Sequence, residues 1–369
     1  MPALALHDIL PGPAVLAALK KRVQSTCPKS PGIYQLFDSV GTVIYVGKAK
    51  DLRARLLSYF NAPWPESKSA RLIRCASDLA WRPLPSEFAA LLEELRLIQR
   101  LHPRYNVTGT RYGSSMAFVR MTKGPAPKLT ITDSPKDTGS LYYGPFRGRS
   151  YTQDAVKTLA DLLGLRDCAD HVPLTFAEQA SLFDAVLQPH CIRHDLGNCL
   201  GPCAGRVTAE RYREAAAAAV QFLGGIAVHP LDKALNSMAD ASDAAEYERA
   251  AYWKKKFDAI VWMFGAIARL RAAIEALSFV YEVKDTSGGS DDRVYLFSNG
   301  IVRAEAGTPR TPIERQAFAA QIERQLAQDA GAPACRGGQE MTQLLLAMSW
   351  FRQHPEEYES TSPYRKWLN

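Results

Sequence analysis

Two rhythms of apolar and polar positions dominate the first third of the chain. Gly32-Ile33-Tyr34-Gln35-Leu36-Phe37 and Thr42-Val43-Ile44-Tyr45-Val46-Gly47 are short β-branched and aromatic runs separated by a polar turn at Asp38 to Gly41. That pattern predicts a hairpin. Asp51 stands where a helix cap belongs, ahead of a helix that runs to Phe60. Residues 68 to 82 fit neither rhythm cleanly and leave room for a third strand. From Ser86, a second capping residue, the period changes to that of a helix ending near Leu101, before Pro103. Upstream, Val15, Leu16 and Leu19 share one face of a helical lead-in over residues 1 to 27.

Further along, residues 116 to 144 read as two short strands around Pro125-Ala126-Pro127, and residues 151 to 165 as a helix. Residues 207 to 224 and 231 to 277 are helical in pattern. Phe279 to Val283 and Arg293 to Phe297 are strand-like, with Gly288-Gly289 between them, and helices near 312 to 328 and 339 to 352 close the chain. The organisation expected is α+β in several units, since 369 residues exceed one ordinary core.

Charge sharpens this picture. The formal net charge is +7, and residues 1 to 106 alone carry fifteen Lys plus Arg against eight Asp plus Glu. A basic excess gathered in one segment points to a polyanionic partner. No run is long and apolar enough for a membrane span. The first residues lack a basic stretch and carry Asp8, so a cytoplasmic protein without a secretory signal is expected. Seven cysteines in such a protein are not a disulfide framework. Cys27, Cys75 and Cys335 are scattered, whereas Cys168, Cys191, Cys199 and Cys203 cluster as C-x22-C-x7-C-x3-C. Four thiolates of this kind suit zinc or an iron–sulfur cluster equally.

The helix from Ser86 carries the most chemistry. At about 100° per residue, Phe88, Leu91, Leu92, Leu95 and Ile98 form one apolar sector. Glu93 falls outside it with Arg96 and Arg100, and Glu94 falls at its edge. A carboxylate there requires a cation, a metal ion or hydrogen-bond donors. Arg55 and Tyr59, four apart, share a face of the preceding helix, and Lys48 leads into it.

Pro31-Gly32-Ile33-Tyr34, Ile44-Tyr45-Val46-Gly47-Lys48-Ala49, Leu52 through Arg55 to Tyr59, Glu94, and Pro103-Arg104-Tyr105-Asn106 resemble, in order and spacing, the GIY-YIG nuclease family. The form resembled is that of the UvrC excinucleases, above all their shorter single-incision relative Cho. The second half of the motif reads Tyr-Val-Gly here. The resemblance implies that Glu94 is the acidic ligand of one Mg²⁺ or Mn²⁺. It implies that Tyr34 is a proposed general base toward water and that Arg55 stabilises charge on the scissile phosphate. Tyr45, Lys48, Tyr59 and Asn106 match residues that orient water, phosphate or neighbours. A tyrosine of ordinary pKa, about 10, is a poor base at neutral pH, so Lys48 or metal-bound water would have to assist.

The cysteine segment, Leu141-Tyr142-Tyr143-Gly144-Pro145-Phe146, and Asp243 to Phe257 resemble further parts of the same family. They imply a [4Fe–4S] cluster on Cys168, Cys191, Cys199 and Cys203, with Zn²⁺ as the alternative. They also imply a UVR-like helical hairpin whose Glu246–Phe257 stretch engages UvrB. Lys254 to Lys256 are alternative phosphate contacts. The resemblance spans about residues 28 to 265, and the residues after it are too few for a second nuclease domain plus a helix-hairpin-helix pair.

The expected architecture is α+β: a helical lead-in (1–27), a small GIY-YIG nuclease domain with a central antiparallel sheet (28–108), and a strand/helix linker (109–166). Beyond these lie a cysteine-rich region (167–206), a helical region with the UVR-like motif (207–277) and a small α/β extension (278–369). The expected function is a single metal-dependent incision, 3′ of a lesion, in UvrB-bound double-stranded damaged DNA. A GIY-YIG nuclease for branched DNA and a non-catalytic DNA-binding adaptor are the rivals.

Overall fold

A computed structural model describes residues 12–106, 116–135, 139–180, 191–329 and 336–368. Residues 1–11 of the expected lead-in, the 108/109 boundary, Pro189-His190 of the cysteine segment and Cys335 lie outside the described residues.

The first unit runs α1 (Pro13–Thr26), β1 (Gly32–Phe37), β2 (Val43–Ala49), α2 (Leu52–Phe60), α3 (Lys68–Ile73), β3 (Asp78–Pro83) and α4 (Glu87–Leu101). Both caps read from sequence are made: Asp51 accepts from Ala54 N, and Ser86 from Ala89 N. The sheet has the order β2-β1-β3, antiparallel throughout. Leu19, Val23, Leu36, Leu52, Leu56 and Leu79 form its main core. Helix α4 packs through Ala90 and Leu97 onto Ile33 and Val46 of the sheet. Gly32 allows the β1/β3 approach: a Cβ there would strike Arg82 O and the Leu52 side chain.

The second unit holds β4 (Met116–Met121), β5 (Leu129–Thr132), β6 (Leu141–Arg147), α5 (Arg149–Leu163), the short turns α6 (Ala177–Ala180) and α7 (Ile192–Asp195), and then α8 (Ala209–Leu223). Three strands, in the order β5-β4-β6, replace the two expected. Strand β6 runs past the expected limit of 144 and carries the Gly144-Pro145 step within it.

The helical stretch expected over 231–277 consists of two antiparallel helices, α9 (His229–Asp243) and α10 (Tyr247–Glu275). The break carries neither Gly nor Pro. Ala245 takes φ 57, and Glu246 N donates to Ala241 O, which closes α9 with a left-handed cap. Alanine is strained in that conformation. Ala245→Gly is therefore expected to raise stability by about 0.5–1 kcal/mol, seen as a higher Tm. A lower Tm would mean the turn conformation is not the one that limits stability.

The last unit comprises β7 (Phe279–Val283), β8 (Arg293–Ser298), β9 (Ile301–Gly307), α11 (Pro312–Asp329), α12 (Gly338–Gln353), β10 (Thr361–Ser362) and α13 (Arg365–Leu368). Its sheet order is β10-β7-β8-β9. One face packs on α12 and the other on α11 and Trp367. Strands β9 and β10 add to the two strands expected; β9 places Arg303 and Glu305 among Ile301, Val302 and small residues. Among the described residues no helix is long and apolar enough to cross a membrane.

Candidate active site

Four elements of the first unit, β1, β2, α2 and α4, bring the expected site residues together. Tyr34 comes from β1, Tyr45 and Lys48 from β2, Arg55 and Tyr59 from α2, and Glu94 from α4. The Tyr34 and Tyr59 hydroxyls lie 2.7 Å apart, and Arg55 Nε donates to the Tyr34 oxygen at 3.3 Å. Arg55 Nη2 reaches the Tyr59 oxygen at 3.5 Å, and the Tyr45 ring lies beside the pair, 6.2 Å from that of Tyr34. Burial, reinforced by Tyr45, pushes the Tyr34 phenol up to about 12, against the opposing pull of Tyr59 and Arg55. At neutral pH such a group is a hydroxyl with only a trace of phenolate.

Gly47 lies directly under the Tyr34 ring. A Cβ at 47 would collide with Cζ and Oη of Tyr34. The glycine of one motif is thus the floor on which the tyrosine of the other rests. Gly47→Ala is expected to cost about 1–3 kcal/mol through overpacking. By displacing the hydroxyl, it should also slow cleavage by about ten- to a hundredfold. Thermal melting and single-turnover kinetics would check this, and an unchanged rate would refute the displacement.

Glu94 is largely buried at the wall of a cleft of about 730 Å³, beside Tyr45, Lys48 and Asn106. Its Oε1 accepts from Lys48 N at 3.1 Å, and its Oε2 accepts no hydrogen bond among the described residues. Burial raises its pKa above the ordinary carboxylate range, against lowering contributions from Lys48 and Arg55. Helical phase places Glu93 elsewhere, and the structure agrees: it pairs with Arg82 and Arg96.

Two sequence expectations change here. Lys48 does not serve Tyr34; its Nζ binds Glu87 Oε1 at 2.9 Å, and Lys50 binds the other oxygen at 2.8 Å. Burial of Glu87 would raise its pKa, but hydrogen bonds from Lys50 and Lys48 outweigh it and lower it. Sequence reasoning misses Glu87, although it precedes Glu94 by two helical turns and shares its face. Asn106 uses its side-chain amide on backbone: Oδ1 accepts from Val46 N and Nδ2 donates to Val46 O, both at 2.8 Å. It holds β2 in place.

The apolar sector of α4 also splits. Phe88 and Leu92 are buried, whereas Leu91, Leu95 and Ile98 line the cleft. Leu97, outside the expected sector, is buried against the sheet.

A divalent ion fits the Glu94 position. One carboxylate facing a roomy cleft suits Mg²⁺, which keeps most of its waters. The four cysteines fit a cluster less well. Cys168 Sγ accepts from Arg166 and buried Cys199 Sγ from Gly201 N. Burial is the largest cause that raises the pKa of Cys199 and of Cys203, and the neighbouring cysteines add to it. Among the described residues no three His, Cys, Asp or Glu side chains stand close enough together to hold a metal ion. The expected [4Fe–4S] or Zn²⁺ set is therefore not assembled in this arrangement.

The UVR-like stretch is corrected at Lys256. That side chain is only 11% exposed, bonds Asp161 Oδ2 at 2.9 Å and lies over the Tyr252 and Trp253 rings. It is a structural cation rather than a phosphate contact. Lys254 remains exposed beside Asp258.

Two segments of the chain match known families. Residues 30–107 match the UvrC-like GIY-YIG domain, and residues 116–222 match the UvrC/Cho excinuclease middle domain. The UvrABC system protein C of Alcanivorax borkumensis is 32% identical over 235 residues, 63% of this chain and 37% of that protein. That of Serratia proteamaculans is 32% identical over 273 residues, 74% of this chain and 40% of that protein. The chain thus aligns to well under half the length of these relatives. A solved GIY-YIG N-terminal endonuclease domain of UvrC from Thermotoga maritima, bound to magnesium as its catalytic divalent cation, is 35% identical. It covers 24% of this chain and 97% of that one, with a TM-score of 0.22. Residues 30–107 belong to the UvrC-like GIY-YIG domain family and residues 116–222 to the UvrC/Cho middle-domain family.

Proposed function

We propose that this chain is a divalent-metal-dependent DNA endonuclease of nucleotide excision repair that makes one incision, in the manner of Cho. The carrying observation is a hydrogen-bonded group of Tyr34, Arg55 and Tyr59 beside Tyr45 and Glu94, which line a cleft, within the segment of UvrC-like GIY-YIG sequence. The described residues assemble this one nuclease constellation, and one incision is the proposal made for it.

In this reading water adds to phosphorus, a P–O bond breaks, and the departing oxygen gains a proton. The bound ion would polarise the phosphate and acidify water. Glu94 would be its ligand from the protein. Arg55 offers its guanidinium to the charge that develops on phosphate. Tyr34, held protonated between Arg55 and Tyr59, orients water by hydrogen bonding, and Tyr45 and Tyr59 fix its position. Lys48, tethered by Glu87, adds positive charge at the cleft wall.

The substrate proposed is damaged duplex presented by UvrB and cut 3′ of the lesion. The exposed Tyr247 and Tyr252 on α10 are the side chains available for that partner. An end-labelled damaged duplex, incubated with and without Mg²⁺ and UvrB, tests the proposal. One nick that needs both is expected. Two nicks, or cutting that survives EDTA, would overturn it.

The Glu94 carboxyl must lose its proton to take a cation. Cleavage is expected to fall on the acid side at a pH above the ordinary carboxylate value of about 4.5. Because proton and ion compete, more Mg²⁺ should move that limb downward. Stability depends on the same group differently. A raised pKa means that the folded state binds the proton more tightly, so this group's contribution declines as pH rises through the interval between unfolded and folded pKa values. A limb that stays fixed across Mg²⁺ concentrations would count against Glu94 as ligand.

A further inference from the structure

Residues 277–369 lie beyond both family-matched segments, yet they pack on the helix that carries Glu94. Phe88, six residues before Glu94, is 1% exposed. Its ring sits in a socket of four aromatic side chains from the last unit. The centroids of Tyr281 and Tyr295 are 5.2 and 5.0 Å away, both edge-to-face, and those of Trp350 and Phe297 are 5.4 and 5.9 Å away. Edge-to-face contacts fix a ring's orientation as well as its burial.

Polar ties continue along the same helix. Thr286 N donates to Pro85 O at 2.7 Å, just before α4. Arg96 Nη1 pairs with Glu305 Oε2 at 2.8 Å, just after Glu94. Gln99 Nε2 donates to Gln339 O at 3.2 Å, near the helix end. On its other side α4 meets its own sheet through Ala90 and Leu97, through the Glu87–Lys48 and Glu93–Arg82 ion pairs, and through the hydrogen bond from Lys48 N to Glu94.

We propose that residues 277–369 brace α4, and that Phe88 is a positioning residue whose socket sets the place of Glu94 at the cleft. A helix clasped between its own sheet and a second unit takes its exact position from both, so a change in the socket shifts the helix and the carboxylate it carries. A displacement of about 1 Å is enough to degrade a metal or phosphate site. The socket sets that position before an ion arrives, so the cost of ordering the carboxylate is met in folding rather than in binding. This inference rests on the reading of Glu94 as the metal ligand.

Mn²⁺ titration of the full chain, monitored by electron paramagnetic resonance, separates the two claims. Wild type, Phe88→Leu, Phe297→Leu and Glu94→Gln would be compared, each with its melting temperature. Phe297 approaches the socket from the last unit, so it reports even if Phe88→Leu fails to fold. The brace predicts that folded socket variants bind Mn²⁺ about tenfold more weakly. It also predicts that their cleavage rate recovers at saturating metal, so the metal requirement rises while the maximal rate stays. Wild-type Mn²⁺ binding in a folded socket variant, with binding lost in Glu94→Gln, would overturn the brace alone. Wild-type binding in Glu94→Gln would overturn the ligand assignment and the brace with it.

Discussion

Glu94→Gln is expected to lower the single-turnover cleavage rate by about a thousandfold or more, while leaving the melting temperature nearly unchanged. The glutamine keeps an acceptor oxygen for Lys48 N, so the bond that ties α4 to β2 survives. What disappears is the negative charge. A thousandfold loss is about 4 kcal/mol of transition-state stabilisation, a reasonable share for a metal ion that polarises phosphate and water. Stability should not suffer, because the carboxyl is one that burial already disfavours as an anion. Glu94→Ala would be a poorer experiment, since it would also strand the Lys48 amide. Retention of more than a tenth of the wild-type rate would sink the role assigned to this side chain.

The second large effect concerns stability. Asp161 on α5 is 8% exposed at its side chain and lies 2.9 Å from both Arg193 Nη2 and Lys256 Nζ. The three residues join α5, the cysteine segment and α10. Asp161→Ala would leave Lys256, 11% exposed, without its carboxylate, and Arg193 with Asp167 as its remaining acidic partner. Breaking a buried ion pair from one side typically costs about 3–5 kcal/mol, because the stranded charge keeps its desolvation penalty uncompensated. Urea unfolding should show that loss, and Asp161→Asn, which keeps an acceptor, should show less. Adding Lys256→Met to Asp161→Ala should recover part of it. A loss below about 1 kcal/mol would mean that water reaches Lys256 and Arg193 once the carboxylate is gone.

Much of the first unit was legible because its signals are local. Asp51 and Ser86 cap the helices they precede, and the hairpin comes from alternation around a polar turn. Helical phase separated Glu94 from Glu93 without any tertiary information. Strand β3 was harder to read, because Asp-Leu-Ala-Trp-Arg-Pro becomes a strand by pairing with β1 rather than by propensity. The α9/α10 break hid in Ala244-Ala245, where strain replaces the usual glycine. Asn106 was visible only through a family likeness, and its actual partner, the Val46 backbone, is sixty residues away in sequence. The split of the α4 face is also tertiary. A helix clasped by a sheet on one side and an aromatic socket on the other has two buried stripes, which a single apolar sector cannot describe.

The outer margin of β2 has a consequence beyond the nuclease chemistry. Strand β2 ends its sheet, and the outward backbone groups of an end strand pair with an extended segment of another molecule unless something covers them. Ile44 O accepts from Tyr105 N, Val46 N and O are both taken by the Asn106 amide, and Lys48 N is taken by Glu94. These are successive rungs of one ladder. Asn106 and Glu94 thus also act as a selvedge that keeps the sheet from being extended by a neighbour, and variants made there to probe catalysis should be watched for self-association.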